Sequence, residues 1–327
     1  MLLLRLLLTV LTILTVTSCQ SDDSSEVISQ TYVHKYGFNL TEKEWNERDQ
    51  DGQIITVLED KTVITQSYEN GVLHGLSTKT YPNSNIIFTE KLYDQGILLK
   101  EIINDEKGIP VKEEAYEFDD RKVITRWYAN GAPMSIEEYD SNLLVEGSYF
   151  DLSNELESSI EEGTGMRVKR DRQGVLQIHD TLENGIVTVR KTYHPNGQLQ
   201  SESHFVNNQL HGPQTKYTVT GKPLLEQYFH NGALDGLKKQ YRNGKKVLEI
   251  PYVMGQKNGV EKHYDLDGTL TAEIPYENNI KHGRSRYQSE DFSDLIWHFR
   301  GKPVTRNEFN DLVTREKMLA ELSLDND

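Results

Sequence analysis

The sequence predicts an all-β protein: an elongated antiparallel meander of repeated β-hairpins, an open sheet with a short capping helix at its C-terminal end. Three observations carry this expectation. Asn-Gly occurs seven times, at Asn70-Gly71, Asn130-Gly131, Asn184-Gly185, Asn196-Gly197, Asn231-Gly232, Asn243-Gly244 and Asn258-Gly259. Both residues tolerate the positive φ that a two-residue hairpin turn demands. Between these turns an aromatic recurs every 11 or 12 residues, at Tyr193, Phe205, Tyr217, Phe229, Tyr241, Tyr252, Tyr264, Tyr276 and Tyr287. One turn plus a strand of about five to seven residues fills that step, so two steps make one repeat.

Taken in chain order, the first segment is of a different kind. Met1 to Ser18 holds one charge, Arg5, followed by an apolar run from Leu6 to Val16. That run is shorter than the roughly 20 residues needed to span a bilayer, so it reads as a signal peptide, residues 1–18. It ends in Val16-Thr17-Ser18-Cys19, which resembles the lipobox of bacterial lipoproteins, with Val in place of the commoner Leu three residues before the Cys. The resemblance implies that Cys19, the chain's single Cys, is the lipidation site and membrane anchor. Gln20 in place of Asp implies the outer membrane rather than the inner. Each buried methylene contributes about 0.8 kcal/mol, so a multiply acylated terminus anchors stably. Residues 19–31 read as an acidic flexible tether, since Gln20 to Glu26 offers nothing to bury.

Residues 32–61 are expected to form an N-terminal cap around Trp45, with room for a short helix in Thr41-Glu-Lys-Glu-Trp. The repeat array is expected over residues 62–300. In its earlier half Tyr68, Tyr81 and Tyr93, then Tyr116, Tyr128, Tyr139 and Tyr149, continue the aromatic ladder with one rung missing between Tyr93 and Tyr116. The segment Asp151 to Glu162 lacks the spacing, and Gly163-Thr-Gly165 reads as a turn that interrupts the centre. Residues 301–327 hold the helix and tail. Thr305-Arg-Asn-Glu308 has capping-box spacing, and Phe309, Leu312, Val313, Met318, Leu319 and Leu322 fall on one helical face that would cover the last sheet edge.

Half of each repeat reads Gly-x4-Glu-x2-aromatic, as in Gly197, Glu202, Phe205 and in Gly244, Glu249, Tyr252. Alternation along a strand sets Glu and aromatic on opposite faces. One face is therefore expected to be apolar, with Ile250 and Ile274, and the other acidic, with Glu202, Glu226, Glu249 and Glu273 as the candidate binding face. The other half reads aromatic, Asn-Gly or a substitute, then a second Gly, as in Tyr68-Glu-Asn-Gly-Val-Leu-His-Gly75 and Phe229-His-Asn-Gly-Ala-Leu-Asp-Gly236. Gly71, Gly75, Gly131, Gly197, Gly212, Gly232, Gly236, Gly244, Gly259, Gly268 and Gly283 are expected to serve as the repeat's turn residues. Asp51-Gly52, Asp235-Gly236 and Asp267-Gly268 offer the same turn chemistry.

These units resemble bacterial MORN-variant repeats, the group labelled an antitoxin family, from about Tyr68 to Tyr287. The resemblance implies a twisted open sheet or trough used as a scaffold. An exported lipoprotein is poorly placed to neutralise a cytosolic toxin.

The chemistry of the chain narrows the function further. With 36 Lys and Arg against 51 Asp and Glu, the net charge of -15 opposes nucleic-acid binding, which needs a dense basic face. There is no Gly-x-Ser-x-Gly, His-Glu-x-x-His or P-loop, so no catalytic residue, metal or cofactor is expected. His74, His211 and His282 each precede a Gly and read as structural. The sequence thus points to a non-enzymatic envelope lipoprotein with an unknown protein partner. A glycan or peptidoglycan reader and an envelope hydrolase are the alternatives; against the first, wall-binding arrays expose several Trp, and the chain has three, Trp45, Trp127 and Trp297.

Overall fold

The structure, a computed structural model, describes residues 26–117, 119–288 and 293–324. The segments expected to be a signal peptide and lipobox, Cys19 and most of the expected tether lie outside the described residues. No helix among the described residues is long and apolar enough to cross a membrane.

Successive strands pair antiparallel with their chain neighbours from Gly52–Leu58 through to Lys302–Val304, giving one continuous meander. The first strand, Val27–His34, pairs with Gly52–Leu58 on one side and with the two-residue strand Asn39–Leu40 on the other. Val27 to Thr31, expected to belong to the tether, are therefore part of a strand. The short helix α1, Glu42–Asn46, carries a complete capping box between Thr41 and Glu44. It delivers Trp45, 3% exposed, onto Tyr32 and Tyr68, with ring centroids 5.7 and 6.1 Å away.

The centre is not interrupted. Leu156–Glu161 and Thr164–Arg170 form an ordinary hairpin with the turn at Glu162-Gly163, both at positive φ. Around it Leu144, Tyr149, Ile160, Val168 and Leu182 form a buried hydrophobic cluster. Gly165 is required there: at φ 146°, a Cβ would sit 2.3 Å from the Ser159 carbonyl oxygen.

The two ends of the strands use different turns, which corrects the reading of every Asn-Gly as one hairpin type. At one end the turns are two residues long with both φ positive, as at Asn70-Gly71, Asn184-Gly185 and Asn231-Gly232. At the other end the chain mostly makes four-residue loops in which the fourth residue alone is left-handed. Gly131, Gly197 and Gly268 hold that place, so Asn130 and Asn196 keep negative φ there. The carboxylates of Asp105, Asp151, Asp171 and Asp265 each accept two backbone N–H bonds within their own loop, the Asx-turn device. Where the first loop residue is Tyr81, Tyr128 or His194, its side chain instead reaches the backbone carbonyl of Asn104, Phe150 or Tyr217 in the next repeat. The absent aromatic rung is Asn104, buried, with its amide donating to Ile87 O and Glu90.

The second Gly of the motif is not a turn residue. Gly75, Gly212, Gly236, Gly259 and Gly283 stand at a kink in the strand that follows the turn, all at positive φ. Each lies beneath the side chain of the neighbouring strand; a Cβ on Gly259 would approach Pro251 Cγ to 2.9 Å and one on Gly236 would approach Tyr228 Cβ to 3.4 Å. Gly52 likewise opens a strand rather than a turn.

Helix α2 spans Arg306–Leu324, and Thr305 and Glu308 close the expected capping box. Phe309 packs on Trp297 at 5.0 Å and near Phe299 at 6.2 Å. Farther along, Glu316 still pairs with Arg300 of the last hairpin turn, while Met318, 58% exposed, and Leu319, 63% exposed, face away. The helix covers only the far end of strand Ser293–Phe299, so residues Ser293 to Ile296 remain an exposed edge. The Leu322 side chain lies outside the described residues.

Candidate functional site

The register sets the candidate carboxylates in one cross-strand row: Lys191, Glu202, Thr215, Glu226, Lys239, Glu249, Lys262, Glu273 and Arg286 stand opposite one another in turn. Apart from Thr215, which stands between Glu202 and Glu226, the row alternates in charge, so the expected acidic face is in fact balanced. Lys191 reaches Glu202 at 3.6 Å and Lys239 reaches Glu226 at 3.2 Å; Lys246, on the same strand, reaches Glu249 at 3.0 Å. The spacing of the four Glu implies a solvated face with cross-strand Lys partners, and the register supplies them from the intervening strands.

The aromatics also divide between the faces. Phe229 lies opposite the Glu row, with Ile250 and Ile274, all buried. Tyr241 and Tyr264 lie on the Glu side: Tyr264 donates to Glu249 at 2.7 Å, with the Lys246 ammonium 4.4 Å from its ring centroid. Burial, then the hydrogen bond to Glu226, pushes the Tyr241 hydroxyl up to about 12. Burial pushes the Glu249 carboxyl up, but the Tyr264 and Lys246 hydrogen bonds outweigh it and hold the carboxyl below its ordinary range.

Two residues along the strands from the charged row, the same outer face carries an apolar stripe. Pro213 faces Tyr228, Leu237 faces Pro251, and Val260 faces Pro275. Tyr228 is 47%, Leu237 41% and Val260 41% exposed. The glycine floor described above positions this stripe: Gly236, Gly259 and Gly283 sit under Tyr228, Pro251 and Pro275. Proline is tolerated mid-sheet because the facing strand kinks here; the N–H of Asn258 and of His282 still reaches the Pro251 and Pro275 carbonyls. Trp297 continues the face at the C-terminal end, where Phe309 covers it.

The opposite, inner face holds a polar centre that sequence reading missed. Asp180 is 0% exposed and accepts from Arg167 at 2.7 Å and from Arg190 at 2.7 Å. Burial would raise its carboxyl, but the Arg190 and Arg167 hydrogen bonds hold it below the ordinary range. Glu137, also buried, accepts from Arg126 at 3.1 Å, Tyr139 at 2.9 Å and Tyr149 at 3.0 Å. Burial and the Glu137 charge raise both tyrosines, Tyr139 to about 12. Gly147 makes the arrangement possible, since a Cβ there would lie 2.8 Å from the Tyr149 hydroxyl. Lys169 stands beside this centre, its ammonium pushed down by burial and by Arg167. No single strand shows the pattern, because each contributes one or two of its members.

The three His before glycines are stitches. The Nδ1 of His74, His211 and His282 each accepts, at 3.4 Å, from the first turn residue of the next hairpin, Gln95, Asn231 and Arg300. Asp235 does the same for Met254. Among the described residues no cluster of three His, Cys, Asp or Glu is arranged to hold a metal ion. The backbone adds to the stitching: Gly232 N–H reaches Leu210 O and Gly255 N–H reaches Leu234 O, turn to turn.

Comparison with known families matches the MORN repeat variant at residues 187–207 and 257–278. Both segments are a strand pair and the four-residue loop between, with Glu202 and Glu273 inside them. No curated protein matches the chain.

Proposed function

We propose that this chain is a non-enzymatic cell-envelope lipoprotein, anchored through Cys19 to the outer membrane, whose repeat array presents its outer face to a protein partner. The observation that carries the reading is the exposed stripe of Tyr228, Leu237 and Val260 with Pro213, Pro251 and Pro275, bordered by the alternating Glu and Lys row. Apolar side chains in a contiguous patch with a polar rim are the anatomy of a protein-binding surface. The ion-paired row supplies orientation rather than net attraction, since its charges already compensate each other. MORN-variant repeats and an open sheet both fit a scaffold of this kind.

The glycan reading has less support from its Trp residues. Trp45 is buried on the inward side of α1, Trp297 is stacked by Phe309, and Trp127 alone is left, half-buried. The test is capture from envelope extract set against sedimentation on purified cell wall. Leu237→Asp with Val260→Asp should abolish protein capture, while Lys169→Glu on the inner face should not. Retention of capture by the double variant, or sedimentation with bare cell wall, would remove this reading.

A further inference from the structure

Both ends of the array expose half of a strand. At the N-terminal edge, Asn39–Leu40 pairs with Tyr32 and Val33 only, leaving Val27 to Thr31 with one side unpaired among the described residues. At the C-terminal edge, Lys302–Val304 pairs with Trp297 to Phe299, leaving Ser293 to Ile296 in the same condition. Each open half is the first half of its strand and is followed by a short flanking strand over the second half. Unpaired strand edges template pairing with another chain, and natural proteins commonly block them with charge or proline. Val27-Ile-Ser-Gln-Thr31 has neither, and Ser293-Asp-Leu-Ile296 has one carboxylate.

We propose that the occupant of each open edge is the other open edge of a second copy of this chain, joined antiparallel, head to tail. The stagger permits it: with open halves aligned antiparallel, the two flanking strands fall on opposite sides of the seam and do not meet. The residue pattern selects it over the two symmetric alternatives. Antiparallel alignment brings Val27 and Ile28, 57% and 64% exposed, against Leu295 and Ile296, 55% and 39% exposed. It sets Ser29 and Gln30 against Asp294 and Ser293. Two N-terminal edges would instead set Val27 and Ile28 against Gln30 and Thr31. Two C-terminal edges would set Leu295 and Ile296 against Ser293 and Asp294. Matched cross-strand pairs are what stabilise a seam of this kind. Head-to-tail joining is heterologous, so it propagates into an open series rather than closing at two.

The test uses the full chain and two edge-blocked variants, Ile28→Lys and Leu295→Lys, with mass followed against concentration by sedimentation. The wild type should form a concentration-dependent series beyond the dimer. Each variant alone should be monomeric, and their equimolar mixture should form a dimer and nothing larger, because each supplies the edge that the other has lost. Self-association of Leu295→Lys alone would show N-terminal edges pairing together, and self-association of Ile28→Lys alone would show C-terminal edges doing so. Either result, a monomeric wild type, or a monomeric mixture overturns the proposal. Circular dichroism checks that the variants keep the sheet, and Ser29→Lys with Ile296→Lys repeats the experiment at neighbouring positions.

Discussion

Replacing Asp180 by Asn keeps the shape of the side chain and removes the charge that two guanidinium groups share. The carboxylate is fully buried, and the Arg167 side chain is only 12% exposed, so little water can replace what is lost. Removing one member of a buried ion pair typically costs about 3–5 kcal/mol, because the partner charge stays behind uncompensated. Asn still accepts one hydrogen bond and Arg190 is 37% exposed, which places the expected loss near the lower end, about 3 kcal/mol. Each hairpin touches only its neighbours, so the damage should be local. Amide hydrogen exchange resolves this: strands Thr164–Arg170, Leu176–Glu183 and Ile186–Tyr193 should exchange roughly 100-fold faster, while Leu270–Glu277 should not change. The pH dependence has a definite sign. Because the folded carboxyl titrates below its unfolded value, its contribution is fully present above the ordinary Asp range near pH ~3.9 and is lost as pH falls through the lower, folded value. Exchange in these three strands matching the wild type at neutral pH would refute the reasoning.

The glycine geometry separates two classes of substitution by thermal melting. Gly165→Ala drives a Cβ into the Ser159 carbonyl and should cost several times more than Gly131→Ala, where nothing lies within 4 Å and only the left-handed φ is strained, about 1 kcal/mol. In the outer row, Glu226→Lys should destabilise by placing like charges opposite Lys239, and Lys239→Glu added to it should restore stability, with a coupling of about 0.2–1 kcal/mol in a double-mutant cycle. An additive pair would contradict the register. Cys19→Ala should release the chain from the membrane fraction and block lipoprotein processing; unchanged partitioning and mature mass would exclude the anchor.

Much of this fold is legible in the sequence because its determinants are local. Positive φ at Asn-Gly and a fixed strand length repeat along the chain, and both act within a dozen residues. The capping boxes at Thr41 and Thr305 are legible for the same reason. What escapes is whatever depends on register between strands. The polar centre gathers Arg126, Glu137, Tyr149, Arg167, Asp180 and Arg190 from six strands that share no motif. The second Gly looked like turn chemistry because glycine permits positive φ in both settings. Its distinguishing feature, the side chain lying across it, belongs to the neighbouring strand.

The central claim is that the outer stripe is the partner surface, and a site-specific photo-crosslinker reads it directly in the intact envelope. Leu237 and Lys238 are adjacent in one strand and point to opposite faces. With the crosslinker at Leu237, a discrete protein adduct should form and should disappear when Val260→Asp is added; with the crosslinker at Lys238, none should form. Equal adducts from the two positions, or an adduct from Lys238 alone, would contradict the account.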